Sequence, residues 1–228
     1  MIYYKEKITS IISPVTIIVF TAIMAQLIGT YHARSLIVGN YFYLLWVIVR
    51  IVLPLGVLLA LKVPLSRIGL GMPRFDPLTR KLVIGAAIIL VAAFGGIYFF
   101  KGYFTFYSSA FAEPGDGTAG RFVNFMIFTS STLTGWEFLH RGFLLMGLYY
   151  VLSERDGIPA DVAARIAIAV AWAFEVVFHF IKPELEAVGL LVGSPLLSWL
   201  ALRMGSIWVP FLLHFLVELL FIATLILQ

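Results

Sequence analysis

Three pairs of polar residues stand out in the second half of the chain because the members of each pair are four positions apart. The pairs are Glu137 with Arg141, Glu175 with His179, and His214 with Glu218. Residues four positions apart lie on the same face of an α-helix, with their Cβ atoms about 5–6 Å apart. Each pair therefore predicts a helix that presents a carboxylate and a basic side chain together on one face.

The sequence around these pairs is strongly apolar, which restricts where their side chains can lie. An ionised side chain at the centre of a bilayer costs roughly 2.5–3.5 kcal/mol or more, so such a group faces a protein interior or water rather than lipid. Each pair could simply neutralise itself, as buried ion pairs do. The occurrence of three such pairs in one half of the chain favours a single shared site.

The residue types suit hydrolysis of an amide bond. A carboxylate and an imidazole can hold a water molecule and remove its proton, and a second imidazole can donate a hydrogen bond to the developing oxyanion. Alternatively, two histidines and a glutamate can bind zinc and activate water, with His179, His214 and Glu175 as the candidate ligands. No His-Glu-x-x-His motif occurs. We therefore expect no cofactor, with zinc as the alternative.

The composition indicates the kind of protein that holds this site. Of 228 residues, 61% are hydrophobic and only 12% are charged, and the mean hydropathy is +1.01. Soluble domains carry about 25% charged residues. Apolar stretches of about 20 residues, long enough to cross a bilayer, recur along the chain. The sequence predicts an all-α, polytopic membrane protein and argues against a soluble enzyme. Without cysteine, a disulfide scaffold and a cysteine nucleophile are also excluded.

About seven membrane spans (six to eight) are predicted. Their approximate ranges are 11–29, 41–61, 82–106, 122–150, 162–181, 187–203 and 207–227. The range 122–150 is longer than a bilayer requires, so this helix is expected to be tilted or interrupted. We expect one membrane domain, with N-terminal helices and a basic loop in residues 1–121 and a catalytic helical core in residues 122–228.

The distribution of basic residues predicts the orientation. With the N-terminus in the cytoplasm, 10 Lys and Arg residues fall on the cytoplasmic side and 4 on the outer side, as the positive-inside rule expects. The net charge of +4 is therefore attributed to membrane topology, and no nucleic-acid partner is expected. Two side chains within the predicted spans fall outside the three pairs: Arg50, expected to pair with one of the buried glutamates, and His140, expected to serve in packing.

Three stretches resemble the motifs of the CAAX-protease and bacteriocin-processing family, also called CPBP or Abi. Residues 135–145, Gly-Trp-Glu-Phe-Leu-His-Arg-Gly-Phe-Leu-Leu, resemble its first motif, Glu-Glu-x-x-x-Arg. Residues 171–180, which end in Phe-His-Phe, resemble the second motif, Phe-x-x-x-His. Residues 204–214, Met-Gly-Ser-Ile-Trp-Val-Pro-Phe-Leu-Leu-His, with Glu218, resemble the third motif, His-x-x-x-Asn. The match covers residues 125–225, with the motifs in the expected order.

The resemblance implies an α-helical intramembrane endopeptidase. In the family, the first glutamate of motif one and the histidine of motif two are thought to activate water, while the histidine and asparagine of motif three stabilise the oxyanion. This sequence departs at three positions: Trp136 replaces the first glutamate, Glu175 stands where motif two has phenylalanine, and Glu218 replaces the asparagine. A carboxylate stabilises an oxyanion only when it is protonated.

The departures leave two interpretations open. Either the water-activating carboxylate has moved to Glu137 or to Glu175, or the chain is a non-proteolytic relative. Residues 182–186, Lys-Pro-Glu-Leu-Glu, resemble a Lys-Pro-x-x-Glu extension of one bacterial branch in which a tryptophan before the motif-one glutamate is common. This favours activity.

The favoured hypothesis is a glutamic-type intramembrane protease that cleaves a membrane-associated protein or peptide. Its candidate catalytic residues are Glu137, Arg141, Glu175, His179, His214 and Glu218. A catalytically silent binding or immunity protein is the alternative. A transporter is disfavoured because the sequence shows no internal repeat.

Overall fold

The computed structural model describes residues 13–98, 117–180 and 184–226, with side chains described at 13–92, 117–180 and 189–220. Within these ranges the chain is almost entirely helical. The helices are α1 (Pro14–Tyr31), α2 (Leu44–Ala60), α3 (Pro77–Tyr98), α4 (residues 118–155), α5 (Ala160–His179), α6 (Glu184–Met204) and α7 (Trp208–Ile226). The predicted all-α fold class is confirmed.

Short elements connect α1 to α2 and α2 to α3. One 3₁₀ turn, Ala33–Ser35, is followed by β1 (Ile37–Val38) and β2 (Phe42–Tyr43), which pair antiparallel with Ile37 opposite Tyr43. A second 3₁₀ turn, Leu65–Arg67, lies in the basic loop before α3. The two-residue strands form only a tight hairpin, and the helices determine the architecture.

Two of the described helices, α1 and α5, are long and apolar enough to cross a membrane, and three shorter apolar helices lie at Leu44–Ala60, Gly189–Met204 and Trp208–Leu220. Each predicted span overlaps one helix of the structure, but the count of about seven spans stays a prediction. Residues 11–12, 99–106, 181 and 227 of the predicted spans lie outside the described residues.

Helix α4 is continuous over 38 residues but alternates between α-helical and π-helical hydrogen bonding. It begins as the α-helix Thr118–Glu137, continues as the π-helix Phe138–Gly147, returns to α-helix at Leu148–Tyr150, and ends as the π-helical Val151–Arg155. The segment predicted as tilted or interrupted is therefore an unbroken helix with wide turns. A π-helical turn changes which side chains share a face, and such turns recur at functional sites.

Helix α5 presents one stripe of buried residues at every fourth position. The stripe consists of Ala163, Ala167, Ala171, Glu175 and His179. Small residues at a helix interface allow two backbones to approach closely. The alanines pack into the main core with Ile18 of α1, Leu58 of α2 and Leu144 of α4, so the two polar residues at the end of the same stripe are also directed into the bundle.

A second core joins the helices at the other side of the bundle. Ala86 of α3 packs there with Leu200 and Met204 of α6 and with Leu213 of α7. These contacts bring α7, which carries His214, beside α3 and α6. Helices α3, α6 and α7 are thus held together by apolar packing before any polar contact is considered.

The start of α3 is fixed by a polar cap outside the apolar bundle. Asp76 accepts a hydrogen bond from the Thr79 amide at 2.7 Å and one from the Thr79 hydroxyl at 2.9 Å. The amide hydrogen bond holds the pKa of Asp76 below its usual range. Arg203, in the last turn of α6, lies 3.3 Å from the Asp76 carboxylate. This cap ties the basic loop to the end of α6.

Gly69 is the tightest point of the loop between α2 and α3. Its φ is +79°, a conformation that side chains with a Cβ rarely adopt. Its carbonyl accepts a hydrogen bond from the Ile207 amide at 2.9 Å. A Cβ at this position would overlap the Met146 sulfur and lie 2.9 Å from the Ile207 side chain. The glycine therefore allows the loop to contact α4 and the start of α7 at once.

We predict that Gly69→Ala destabilises the protein by about 1–3 kcal/mol, since it adds both backbone strain and overlap in a packed region. Thermal unfolding of the purified protein in detergent measures this change. Gly71→Ala is the matched control, because Gly71 has no positive φ and a Cβ there meets nothing within 4 Å. Equal melting temperatures for the two variants would contradict the prediction.

Candidate active site

The centre of the polar cluster is the carboxylate of Glu137, at the junction between the α-helical and π-helical parts of α4. Only 1% of this residue is exposed. Its Oε1 accepts a hydrogen bond from Arg141 Nη1 at 2.5 Å and another from His214 Nδ1 at 2.6 Å. Its Oε2 is buried and has no hydrogen-bond partner among the described residues. Glu137 thus joins α4 to α7 through one oxygen and keeps the other available.

Arg141 links the two buried glutamates. Its Nη1 binds Glu137, and its Nη2 lies 3.4 Å from Glu175 Oε1 and 3.5 Å from Glu175 Oε2. All three side chains are essentially excluded from solvent. Two carboxylates near one guanidinium are mutually repelling, and the shared arginine offsets that repulsion. The ion pairs therefore connect α4 with α5 rather than satisfying each helix separately.

His214 lies at the accessible edge of the cluster. With Nδ1 donating to Glu137, its Nε2 faces Glu218 Oε1 at 3.8 Å. The side chain of His214 is 21% exposed and that of Glu218 is 36% exposed. The expected His214–Glu218 pair is thus a loose contact, and the closer partner of His214 is Glu137 on another helix.

His179 is held by the backbone of its own helix and by Trp136. Its Nδ1 lies 2.8 Å from the backbone carbonyl of Glu175, so Nδ1 carries the proton and Nε2 carries the lone pair in the neutral ring. The Glu175 carboxylate is directed to Arg141 instead. The His179 ring meets the Trp136 ring edge-on, with centroids 4.9 Å apart. The Glu175 carboxylate therefore pairs with Arg141 of α4, although Glu175 shares a helix face with His179.

Trp136, at the position of the family's first glutamate, lies among aromatic and cationic groups. Its ring centroid lies 4.0 Å from that of His140. Arg50 of α2 stacks over Trp46 at 4.0 Å and approaches Trp136 at 5.4 Å. In the part of the chain that the structure describes, no carboxylate lies within ion-pair distance of Arg50. The expected pairing of Arg50 with a glutamate is therefore wrong there, because the indole faces surround its guanidinium.

His140 packs as expected for a structural residue. It is fully buried, its Nδ1 lies 2.8 Å from the Trp136 carbonyl, and its ring centroid lies 5.6 Å from that of Phe174. Gly135 provides space on the same helix, since its Cα faces the Arg50 side chain. These contacts join α2 to the beginning of the π-helical segment.

The alternative zinc ligands do not form a ligand set. Among the described residues, no three His, Asp or Glu side chains are grouped to bind one metal ion. Glu175 is directed to Arg141, and His214 Nδ1 is occupied by Glu137. The arrangement of His179, His214 and Glu175 does not fit a metal centre.

Sequence reasoning missed two buried serines on α6. Ser194 and Ser198 are fully buried, and their hydroxyls have no hydrogen-bond partner among the described residues. The sequence feature that could have identified them is the Ser-Pro dipeptide at positions 194 and 195, inside an apolar helix. The side chains of the extension at residues 182–186 lie outside those described.

The comparisons with known proteins agree with the motifs. The family model described as type II CAAX prenyl endopeptidase Rce1-like matches residues 118–220, from the first residues of α4 into α7, and so includes all six candidate catalytic residues. Neither the curated proteins nor the solved structures gave a match. The resemblance to the CPBP family is confirmed over residues 118–220, which match the model of the type II CAAX prenyl endopeptidase Rce1-like family.

Proposed function

We propose that this chain is a glutamic-type intramembrane endopeptidase that hydrolyses a peptide bond in a membrane-associated protein. The family supports a CAAX-type protease that acts on membrane-associated proteins in a membrane. The observation that carries the finer proposal is the buried contact of Glu137 with both Arg141 and His214. It places carboxylate, guanidinium and imidazole from two helices at one point in an apolar bundle, where fixed charges act most strongly.

In the proposed mechanism, Glu137 and His179 activate the water. Glu137 Oε2 has no partner in the described part of the chain, and His179 carries its lone pair on Nε2. The water oxygen attacks the carbonyl carbon of the substrate while its proton passes to one of these two acceptors. The C–N bond then breaks, and the same proton is delivered to the departing nitrogen. The products are a new carboxyl terminus and a free amine.

His214 is proposed to stabilise the oxyanion. Its Nδ1 hydrogen bond to Glu137 holds the ring, and a carboxylate on one side of an imidazole favours the protonated ring, whose Nε2–H can donate. Glu218, 3.8 Å from Nε2, adds to this effect. Glu218 thus supports the charge on His214 and need not contact the oxyanion itself. Arg141 fixes both glutamates.

The same proposal includes a multi-pass arrangement in the cell membrane with the N-terminus in the cytoplasm. It is supported by the excess of Lys and Arg on the cytoplasmic side. Two apolar helices and the family support a membrane protein. The partners are then the bilayer and a protein or peptide substrate held in it.

We predict that His179→Ala and Glu137→Gln each lower cleavage at least about a hundredfold, because each removes a proposed proton acceptor. The measurement compares the termini of membrane proteins in a host lacking this protein and complemented with wild type or with each variant. His32→Ala is the matched control, since His32 is exposed and lies between α1 and the 3₁₀ turn. A terminus produced only by wild type and the control would identify the substrate. Equal termini in all strains, at equal expression, would favour the silent binding protein.

A second prediction concerns metal. Purified protein is expected to contain no stoichiometric metal and to keep its activity in chelators, because two of the three candidate zinc ligands already have protein partners: Glu175 lies at Arg141, and His214 Nδ1 binds Glu137. Elemental analysis and an assay with and without EDTA and 1,10-phenanthroline measure this. Loss of activity to both chelators, restored by zinc, would contradict the glutamic-type mechanism.

A further inference from the structure

The buried face of α6 carries two hydroxyls that the proposed mechanism has not yet used. Ser194 and Ser198 are four positions apart and therefore lie on one face of the helix. Both are completely buried, and neither hydroxyl has a hydrogen-bond partner among the described residues. A serine inside a helix usually bonds the carbonyl four residues earlier. These two hydroxyls are instead available to another group.

The helix backbone is also incompletely bonded at this place. Pro195, between the two serines, lies inside α6 and has no N–H, so the carbonyl of Leu191 does not receive its usual helical hydrogen bond. In membrane helices, such a freed carbonyl is bonded by neighbouring side chains or by ordered water. Two turns of α6 thus contain two hydroxyls and one carbonyl that require partners.

This part of α6 packs against α5, and Ser194 lies near the Glu175 carboxylate. Glu175 Oε1 is 3.4 Å from Arg141 Nη2 but accepts no hydrogen bond from the described residues. Glu137 Oε2 and Arg141 Nε likewise have no partner among the described residues. The orphaned atoms therefore belong to α4, α5 and α6, and Ser194 and Glu175 bring those of α5 and α6 close together.

The chemistry of these atoms identifies their ligand. Serine hydroxyls donate and accept, carboxylate and carbonyl oxygens accept, and the arginine nitrogen donates. A buried polar group left without a partner destabilises the folded state, and a buried water usually makes two to four hydrogen bonds to such groups. A water molecule can satisfy this mixture of donors and acceptors, whereas an anion would be repelled by the two carboxylates.

We propose that Ser194 and Ser198 bind internal water beside Glu175 and that this water supplies the hydrolytic reaction. The serines are positioning residues, because they act on the water and not on the substrate. The existence of the water site is independent of the activity, while its use in hydrolysis rests on the proposed function. Hydrolysis inside an apolar bundle requires a source of water. In this proposal the two serines of α6 hold that water.

The first test needs no enzymatic assay. Water-edited solid-state NMR of the full chain in bilayers, with ¹³C-labelled glutamate, measures magnetisation transfer from water to the Glu175 carboxyl carbon, whose signal is assigned by its loss in Glu175→Gln. We expect transfer in wild type and in Ser153→Ala, and loss of transfer in Ser194→Val/Ser198→Val. Ser153 is the matched control because its hydroxyl already donates to the Tyr149 carbonyl. Absence of transfer in wild type, or unchanged transfer in the double variant, overturns the site.

The second test addresses the use of the water. Once a substrate is known, Ser194→Ala/Ser198→Ala is expected to lower kcat about tenfold, the equivalent of one lost hydrogen bond, with KM unchanged. Ser194→Thr, which keeps the hydroxyl, is expected to retain activity. Melting temperatures show that the variants are folded. An unchanged kcat in the folded double variant overturns the role in hydrolysis. If wild type cleaves nothing while the NMR transfer is present, the proposed function fails and the water site stands.

Discussion

The hydrogen bonds to Glu137 Oε1 place the strongest constraint on the structure. A carboxylate removed from water is strongly destabilising unless donors replace its hydration. Here Arg141 and His214 are the donors, and Arg141 in turn contacts Glu175. Because these residues come from α4, α5 and α7, the charges are satisfied only when the three helices are packed together. The apolar bundle and the polar cluster therefore depend on each other.

The helices are shaped to make this contact. The alanine stripe of α5 allows close approach along most of its length, and Glu175 and His179 continue the same stripe. In α4 the winding widens to a π-helix directly after Glu137. Such a change costs backbone stability and is found mostly where a site requires it. The irregular half of α4 is also the half that carries the motif, so local geometry and chemistry coincide.

The tryptophan at position 136 changes the surroundings of the histidines. Where the family's motif has a carboxylate, this chain has an indole that contacts the rings of His140 and His179 and lies near Arg50. The guanidinium stacks over indole faces, which attract cations, and has no carboxylate partner among the described residues. Relative to the family's motif, Trp136 removes one negative charge. The nearby Arg50 of α2 has an aromatic environment instead, formed by Trp46 and Trp136.

Composition and apolar stretches were sufficient to predict the helical class and the approximate positions of the helices, and the resemblance of three short motifs indicated the family, because all of these are local properties of the sequence. They could not show which partner each charge takes. Glu137 bonds His214 on a distant helix, Glu175 turns from His179 to Arg141, and Arg50 stacks on tryptophans. Nor did they show that Ser194 and Ser198 of α6 are buried. These contacts depend on helix rotation and on the π-helical turn, which only the packing of all the helices decides.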